Sequence, residues 1–158
     1  MGHYFYLGII LFLQVLQVTA QSKKILKSNK IKSEVVTKTE NNKVMFESKT
    51  TFDNNGEDLE KINYDKDGLI KSIHKFKYNS DGAEIEELQY NGFNVLEEKK
   101  ISKYSLLGEK IEEIFYHPSG KLIKKHIYAY DNKRLKMERK TIDSLGQVTV
   151  IKHYTYSK

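Results

Sequence analysis

The sequence has no cysteine, no tryptophan and a single proline, Pro118. Without cysteine, the chain can form no disulfide, carry no cysteine-linked lipid anchor and use no thiolate nucleophile. With 30% charged residues it is too polar to enclose a thick core, while 11 tyrosines and 7 phenylalanines are too many for a disordered tail. This composition favours a thin sheet covered by long charged side chains.

The first residues form the longest apolar stretch. Residues 1–21 contain no Lys, Arg, Asp or Glu, and the run ends at Val18-Thr19-Ala20. The apolar part, from Tyr4 to about Val18, is shorter than the roughly 20 apolar residues that a membrane helix needs. We therefore predict a secretory signal peptide at residues 1–20, cleaved after Ala20, with an uncleaved anchor as the alternative. Residues 21–42 then form a basic linker that could include a first strand, and residues 43–158 form a repeat domain.

A short phrase recurs along that domain. An aromatic or apolar residue precedes a turn-forming stretch, and in six copies a glycine follows four residues later. The first residues of the copies are Phe52, Tyr64, Tyr78, Tyr90, Tyr104, Tyr116, Tyr130 and Ile142, with Tyr156 closing the series. Their spacing alternates between 12 and 14, so the full unit is 26 residues.

The phrase has the chemistry of a hairpin turn. Asp65 and Asn79 follow the aromatic residue, where a side-chain oxygen can accept from the backbone two residues on. Gly68 and Gly82 occupy the fourth position, where φ is positive in a type I turn followed by a left-handed residue. Two copies are weaker, because Gly92 is displaced and Arg134 replaces glycine.

Segments of eight to ten residues lie between the turns and have the length of strands. Strands joined in succession by tight turns pair antiparallel. The sequence therefore predicts an all-β fold: an antiparallel β-meander of about nine to ten strands, built from 26-residue double-hairpin repeats, in one open or curled sheet. The tenth strand would be residues 31–38, with Asn41-Asn42 as its turn.

One repeat column is entirely acidic: Glu60, Glu86, Glu112 and Glu138. Counting outward from the turns places Glu86 opposite Lys75 on one side and Lys99 on the other. Such pairs contribute about 0.2–1 kcal/mol each. We interpret the column as a solvated ladder that sets strand register, and not as catalytic carboxylates.

Tyr64-Asp65-Lys66-Asp67-Gly68-Leu69-Ile70 and Tyr130-Asp131 resemble the tyrosine-aspartate (YD) repeats of the Rhs family. The wider series, about residues 44–158, is similar to the looser hairpin repeats of secreted bacterial proteins. In Rhs proteins these repeats build a shell around a toxin, but this chain is too short to enclose another domain. The resemblance implies hairpin architecture and an extracytoplasmic setting.

Catalytic and metal chemistry are not indicated. His74 and His126 share a column but lie four strands apart, roughly 19 Å at about 4.8 Å per strand, too far for one metal ion. No serine stands out as a nucleophile with a histidine and an acid. We predict no enzyme activity, no metal and no cofactor.

Two sets of residues are candidates for binding. The aromatic column Phe76, Tyr128 and Tyr154 is either packed in the sheet or an exposed stripe for a glycan or peptide. The basic cluster after the cleavage site is either a solvated linker or a contact for anionic lipid, lipopolysaccharide or nucleic acid. Its members are Lys23, Lys24, Lys27, Lys30 and Lys32.

Together these features predict a non-enzymatic, exported repeat protein that acts as a binding or structural module at the bacterial cell envelope. Its partner would be a protein or glycan in the periplasm, on the outer surface or outside the cell. The alternative is an electrostatic binder of anionic polymer or membrane surface, including peripheral membrane contact, through the net charge of +6. Export makes nucleic acid an unlikely natural partner, and the sequence leaves the oligomeric state open.

Overall fold

The computed structural model describes residues 23–157 and forms a single ten-stranded antiparallel sheet in which each strand pairs with its neighbours in sequence. A short helical segment, α1, covers residues 23–28. The strands are β1 (Ser33–Glu40), β2 (Lys43–Phe52), β3 (Asp58–Tyr64), β4 (Ile70–Tyr78), β5 (Glu84–Asn91), β6 (Leu96–Tyr104), β7 (Lys110–Tyr116), β8 (Leu122–Tyr130), β9 (Lys136–Asp143) and β10 (Val148–His153).

The predicted all-β meander is confirmed, and the sheet is not closed. The tenth strand is present as β1, joined to β2 by Asn41 and Asn42, which both have positive φ. The predicted signal peptide, residues 1–20, lies outside the described residues. Within residues 23–157, no helix has the length and apolarity needed to cross a membrane.

The turns have the predicted chemistry. In the β4–β5 turn the Gly82 N–H donates to the carbonyl oxygen of Asn79 at 3.1 Å. The side-chain oxygen of Asn79 accepts from the backbone N–H groups of Asp81 at 3.0 Å and Ala83 at 2.9 Å. All six predicted turn glycines have φ between +75° and +84°. The side chain thus fixes two backbone donors while glycine supplies the left-handed residue.

The two weaker copies form the same turn with other residues. Asn94 has φ of 60° and Arg134 has φ of 66° at the position that glycine holds elsewhere. The interpretation of Gly92 as a displaced turn glycine is therefore wrong. A Cβ atom there would lie 2.0 Å from the carbonyl oxygen of Ile70, so glycine is required by the close approach of two backbones.

Each hairpin from β2–β3 to β9–β10 contains one register shift next to its turn, with an extra residue in the second strand. Such β-bulges bend the strand and increase its twist. They also repeat with the 12- and 14-residue spacing of the turns. The extra residues are Leu59, Lys71, Ile85, Glu97, Ile111, Ile123, Met137 and Thr149.

The predicted pairing of Glu86 was wrong, and the bulges explain part of the difference. Its direct partners are Lys77 on β4 and Ile101 on β6, and the predicted positions opposite Lys75 and Lys99 were wrong by two residues. The left-handed turn residue and the bulged residue each add one position to one arm of the hairpin. Lys99 still reaches Glu86 diagonally at 2.8 Å, and Lys77 reaches it at 2.6 Å.

The sheet is a single layer with two solvent-facing sides. One side, the glutamate face, carries the acidic column Glu60, Glu86, Glu112 and Glu138. The opposite side, the histidine face, carries His74, Phe76, His126 and Tyr128, as the pairing register and strand alternation require. Among the described residues, only Phe52 and Ile73 are buried apolar side chains. The fold therefore lacks the enclosed core of a two-layer domain.

The most enclosed corner lies where the chain enters the sheet. Phe52 donates its backbone N–H to the carbonyl oxygen of Lys32 at 2.9 Å, and Ser48 and Thr50 on the same strand are buried. A Cβ atom on Gly56 would lie 2.8 Å from the carbonyl oxygen of Lys23 in α1. The segment from α1 to Lys32 therefore packs against the β2–β3 turn.

Candidate functional site

A connected set of polar side chains crosses the histidine face from β3 to β6. The Asn63 side-chain amide donates to Ser72 Oγ at 3.0 Å, and Ser72 Oγ lies 3.2 Å from His74 Nε2. His74 Nδ1 lies 2.8 Å from Glu87 Oε1, and the other oxygen of Glu87 accepts from Lys100 Nζ. We call Asn63, Ser72, His74, Glu87 and Lys100 the polar chain.

The hairpin geometry positions these side chains. Ser72 and His74 are two residues apart on β4, so they point to the same face, and Asn63 on β3 lies directly opposite Ser72. His74 stands opposite Gln89 on β5, while Glu87 is one alternate position away and approaches His74 diagonally. Lys100 on β6 is the direct partner of Glu87.

The charged end of the polar chain is stabilised in its ionised form. Partial burial raises the pKa of Glu87, but the hydrogen bonds from Lys100 and His74 outweigh it and hold this pKa below its ordinary value. Partial burial likewise opposes the charge of Lys100, whereas Glu87 and Glu84 raise its pKa overall. Lys100 Nζ also lies 3.0 Å from Glu84 Oε1. At neutral pH the pair is a carboxylate and an ammonium.

The order Ser72, His74, Glu87 has the connectivity of a nucleophile, a base and an orienting acid. The three groups stand on a sheet face that no described strand or helix covers. An enclosed pocket, which binds most of a small substrate and excludes water, is the usual setting for such chemistry. On this face, by contrast, the same donors and acceptors are not enclosed by any described strand or helix.

The three residues of the predicted aromatic stripe are not contiguous. The Phe76 ring stacks on the His74 ring, with centroids 6.4 Å apart and planes 13° apart. Tyr128 and Tyr154 are brought together, because Lys136 Nζ lies 4.7 Å from the first ring centroid and 5.5 Å from the second. Between Phe76 on β4 and Tyr128 on β8, the equivalent repeat position on β6 is occupied by Ser102, which is buried.

The hydroxyl of Tyr128 is hydrogen-bonded within the sheet. It donates to Glu113 on the neighbouring strand β7. Partial burial, followed by this hydrogen bond, raises the pKa of Tyr128, so the phenol is protonated at all ordinary pH values. Tyr128 and Tyr154 therefore offer ring surface together with one shared ammonium group, whereas Phe76 lies beside His74 of the polar chain.

The predicted basic cluster is partly engaged by the β2–β3 turn. Lys23 Nζ lies 2.5 Å from Glu57 Oε2, Lys27 donates to Asn55 at 3.3 Å, and Lys32 donates to Asn54. Within residues 23–157, the side chains of Lys24 and Lys30 make no hydrogen bond or ion pair. Three of the five lysines therefore hold the entry segment to the sheet.

Sequence reasoning missed Asn63 and Ser72 because it searched for what the repeats share, and it missed Glu87 and Lys100 because their contacts depend on strand register. The column of Asn63 continues with Gln89, Phe115 and Thr141, and the column of Ser72 continues with Glu98, Lys124 and Val150. Columns that change in every unit cannot serve a repeated structural purpose. Such variation was the available signal for a site confined to one part of the sheet.

These features define the class: a single-layer β-hairpin repeat protein with two exposed faces. A family model described as "Uncharacterised protein" matches residues 16–158, and the chain belongs to this family. No curated protein matches the chain in sequence.

Solved structures show weak similarity. A protein with unknown function from Bacteroides fragilis NCTC 9343 has 15% identity and a TM-score of 0.46, covering 80% of this chain and 96% of that one. GtfA/B bound to UDP and GlcNAc has 13% identity and a TM-score of 0.30, covering 75% of this chain and 24% of that one. TarM has 15% identity and a TM-score of 0.31, covering 87% of this chain and 26% of that one. The chain thus spans about a quarter of GtfA/B and of TarM.

Proposed function

We propose that the protein is a non-enzymatic, exported binding or structural module of the bacterial cell envelope, and that it binds through its histidine face. The observation that carries this proposal is the polar chain. Its side chains connect four strands and lie on a face that no described element covers, and the columns of Asn63 and Ser72 change from unit to unit in the repeat.

An extended ligand suits this surface better than a compact one. Across β3 to β6 the polar chain spans three strand spacings, roughly 14 Å at about 4.8 Å each. Along that line the ligand would meet amide groups of Asn63 and Gln89, the imidazole of His74 and the Phe76 ring. Mixed polar and aromatic groups of this kind bind a glycan or a peptide strand lying across the sheet.

Export is part of the proposal and rests on the apolar run that ends at Ala20. The exported protein should begin at Gln21. Its intact mass, measured by mass spectrometry, checks this, and retention of Met1 would contradict cleavage. The hairpin resemblance to YD repeats agrees with an extracytoplasmic setting and adds nothing about the ligand.

The alternative, an electrostatic binder of anionic polymer or membrane surface, has two supporting observations. Lys24 and Lys30 make no side-chain ion pair within residues 23–157, and the chain carries a net charge of +6. Against it, Lys23, Lys27 and Lys32 contact the β2–β3 turn, so the cluster is not a freely presented patch.

Binding to envelope glycans and peptides, measured by calorimetry, separates the two proposals. Phe76→Ala on the histidine face should weaken binding by about tenfold or more, a hot-spot effect. Lys75→Ala, on the same strand but the opposite face, should leave it unchanged. Raising NaCl from about 50 to about 500 mM should change the affinity little, whereas an electrostatic contact would lose most of it. Equal loss in both variants, or binding that disappears with salt, would refute the histidine face.

A further inference from the structure

Within residues 23–157, the sheet has two edge strands, β1 and β10, which differ in how they are protected. Edge strand β1 carries three charged side chains, those of Glu34, Lys38 and Glu40, and its register with β2 shifts between Val36 and Thr37 because β2 has an extra residue there, Glu47. Charged side chains are one of the means by which proteins prevent edge strands from pairing with other chains. The β1 edge therefore has the features of a protected edge.

Edge strand β10 lacks this protection over most of its length. Val148, Val150 and Ile151 are 51%, 43% and 48% exposed, and the strand contains no proline and one lysine, Lys152. After the bulge at its start, its register with β9 is regular from Val150 to His153. An exposed, apolar and β-branched edge of this kind pairs readily with another strand.

One hydrogen bond shows which backbone N–H and C=O groups of β10 face β9 and which face the edge of the sheet. The Tyr154 N–H donates to the carbonyl oxygen of Met137 on the β9 side at 3.0 Å. Since backbone groups alternate along an antiparallel strand, those of Val150 and Lys152 also face β9, and those of Ile151 and His153 face the free edge. These outward donors and acceptors are available to a further strand.

We propose that β10 pairs with β10 of a second copy, antiparallel and about a two-fold axis at Ile151, so that two ten-stranded sheets join into one. A second copy is favoured because a strand that pairs with itself automatically meets a complementary edge, and closed two-fold pairing is the commonest form of homo-oligomer. This goes beyond the proposed binding function and does not depend on it, because it uses a strand that does not contribute to the polar chain.

Side-chain chemistry selects the position of the axis. An axis at Lys152 would set two ammonium groups directly opposite each other, and like charges in that position are destabilising. An axis at Ile151 instead sets the two isoleucines opposite each other. It also places Val150 beside the aliphatic stem of Lys152 of the second copy, which can cover apolar surface. The pairing thus buries the exposed apolar part of β10.

A single added strand pair buries less area than a standard protein interface, so the dimer should be weak, with a Kd of about 10–100 μM. Analytical ultracentrifugation of the purified protein from about 1 μM to about 1 mM measures it. Ile151→Pro removes an outward-facing N–H that β9 does not use, and should weaken dimerisation at least tenfold with little loss of the folded state. Val35→Pro, at an outward-facing position on β1, is the matched control and should dimerise like the parent.

The axis is tested by single cysteines, since the natural chain has none. Ile151→Cys should form a covalent dimer on mild oxidation, because Cα atoms of residues that face each other across antiparallel strands are within disulfide range. Val35→Cys should oxidise far more slowly. A protein that stays monomeric at about 1 mM would overturn the proposal, as would Ile151→Cys oxidising no faster than Val35→Cys. Faster oxidation of His153→Cys would refute the axis at Ile151.

Discussion

The hydroxyl of Tyr104 donates a 2.8 Å hydrogen bond to the backbone carbonyl oxygen of Glu84, which lies twenty residues earlier in the chain. Two later units repeat it, in Tyr130 to Lys110 and Tyr156 to Lys136. Glu84 is paired with Tyr78 immediately before the bulged residue Ile85. The tyrosine hydroxyl therefore binds the backbone of the preceding hairpin at the point where the bulge interrupts the hydrogen-bond ladder between its strands.

Removing this hydroxyl should cost stability. Tyr104→Phe leaves the ring in place but removes the donor to Glu84, and loss of one such bond costs about 1 kcal/mol. We expect a fall in Tm of about 3 °C, measured by thermal denaturation followed by circular dichroism. Tyr116→Phe is the control, because within residues 23–157 its hydroxyl makes no hydrogen bond. Equal effects in the two variants would show that the bond to Glu84 does not stabilise the fold.

The turn glycines give a second prediction. Gly120 has φ of 83° and no atom within 4 Å of the place where a Cβ would lie, so a substitution there strains only the backbone. Gly120→Val should reduce the free energy of unfolding by about 1–3 kcal/mol. Lys133→Val, one position before the left-handed Arg134, should change it little. Urea denaturation measures both, and equal stabilities would refute the turn assignment.

Gly92 should be sensitive for a different reason. Its Cβ would meet the carbonyl oxygen of Ile70 at 2.0 Å, which forces two backbones apart. Gly92→Ala should therefore destabilise the protein more than Gly68→Ala, although only Gly68 has positive φ. Urea denaturation of the two variants provides the comparison. If Gly68→Ala were the more harmful, the close approach of Gly92 and Ile70 would be wrong.

The polar chain should make stability depend on acid. The pKa of Glu87 is lowered in the folded protein below its ordinary value of 4.5, so the unfolded chain binds the proton first as pH falls. The stabilisation is complete above that value and is lost as pH falls through the lower, folded-state pKa. Glu87→Gln should lose stability at neutral pH and show a smaller further loss on acidification. Urea titrations at about pH 7 and about pH 3 measure it. An unchanged acid dependence would contradict the assigned role of Glu87.

Ser72 should not behave as an activated nucleophile. Its hydroxyl contacts His74, but the face around it is uncovered, so we expect no labelling by a fluorophosphonate probe above that of Ser72→Ala. The labelling is read by intact-mass spectrometry. Stoichiometric modification of Ser72, abolished in His74→Ala, would show that the protein has a hydrolase-like site and would overturn the non-enzymatic proposal.

The turns were predictable because their chemistry is confined to five consecutive residues. Asp65 and Gly68 carry all that the β3–β4 turn requires, and the order of strands follows once the turns are known. Register was less predictable, since it depends on the bulged residue, as the pairing of Glu86 with Lys77 illustrates. The residue types of Leu59 and Ile85 do not indicate that these residues form bulges.

The candidate site was harder to predict from the sequence than the strand register. Asn63 and Ser72 meet through register, and His74 and Glu87 meet diagonally across two strands, so the contacts depend on the positions of bulges in two hairpins. In the predicted aromatic column, Phe76 lies apart from Tyr128 because Ser102 holds the intermediate position on β6. A repeat period predicts which residues share a column, and it leaves open which columns touch.

The strand order has a consequence for how the protein acquires its structure. Every strand from β1 to β10 contacts only the strands before and after it in the chain. Such a sheet needs no long loop to close before its contacts form, which favours rapid folding for an all-β protein. A chain that emerges one hairpin at a time during its synthesis could add each strand to the edge already formed, as linear repeat arrays do. Until the last strand arrives, the growing edge is itself the surface most in need of protection.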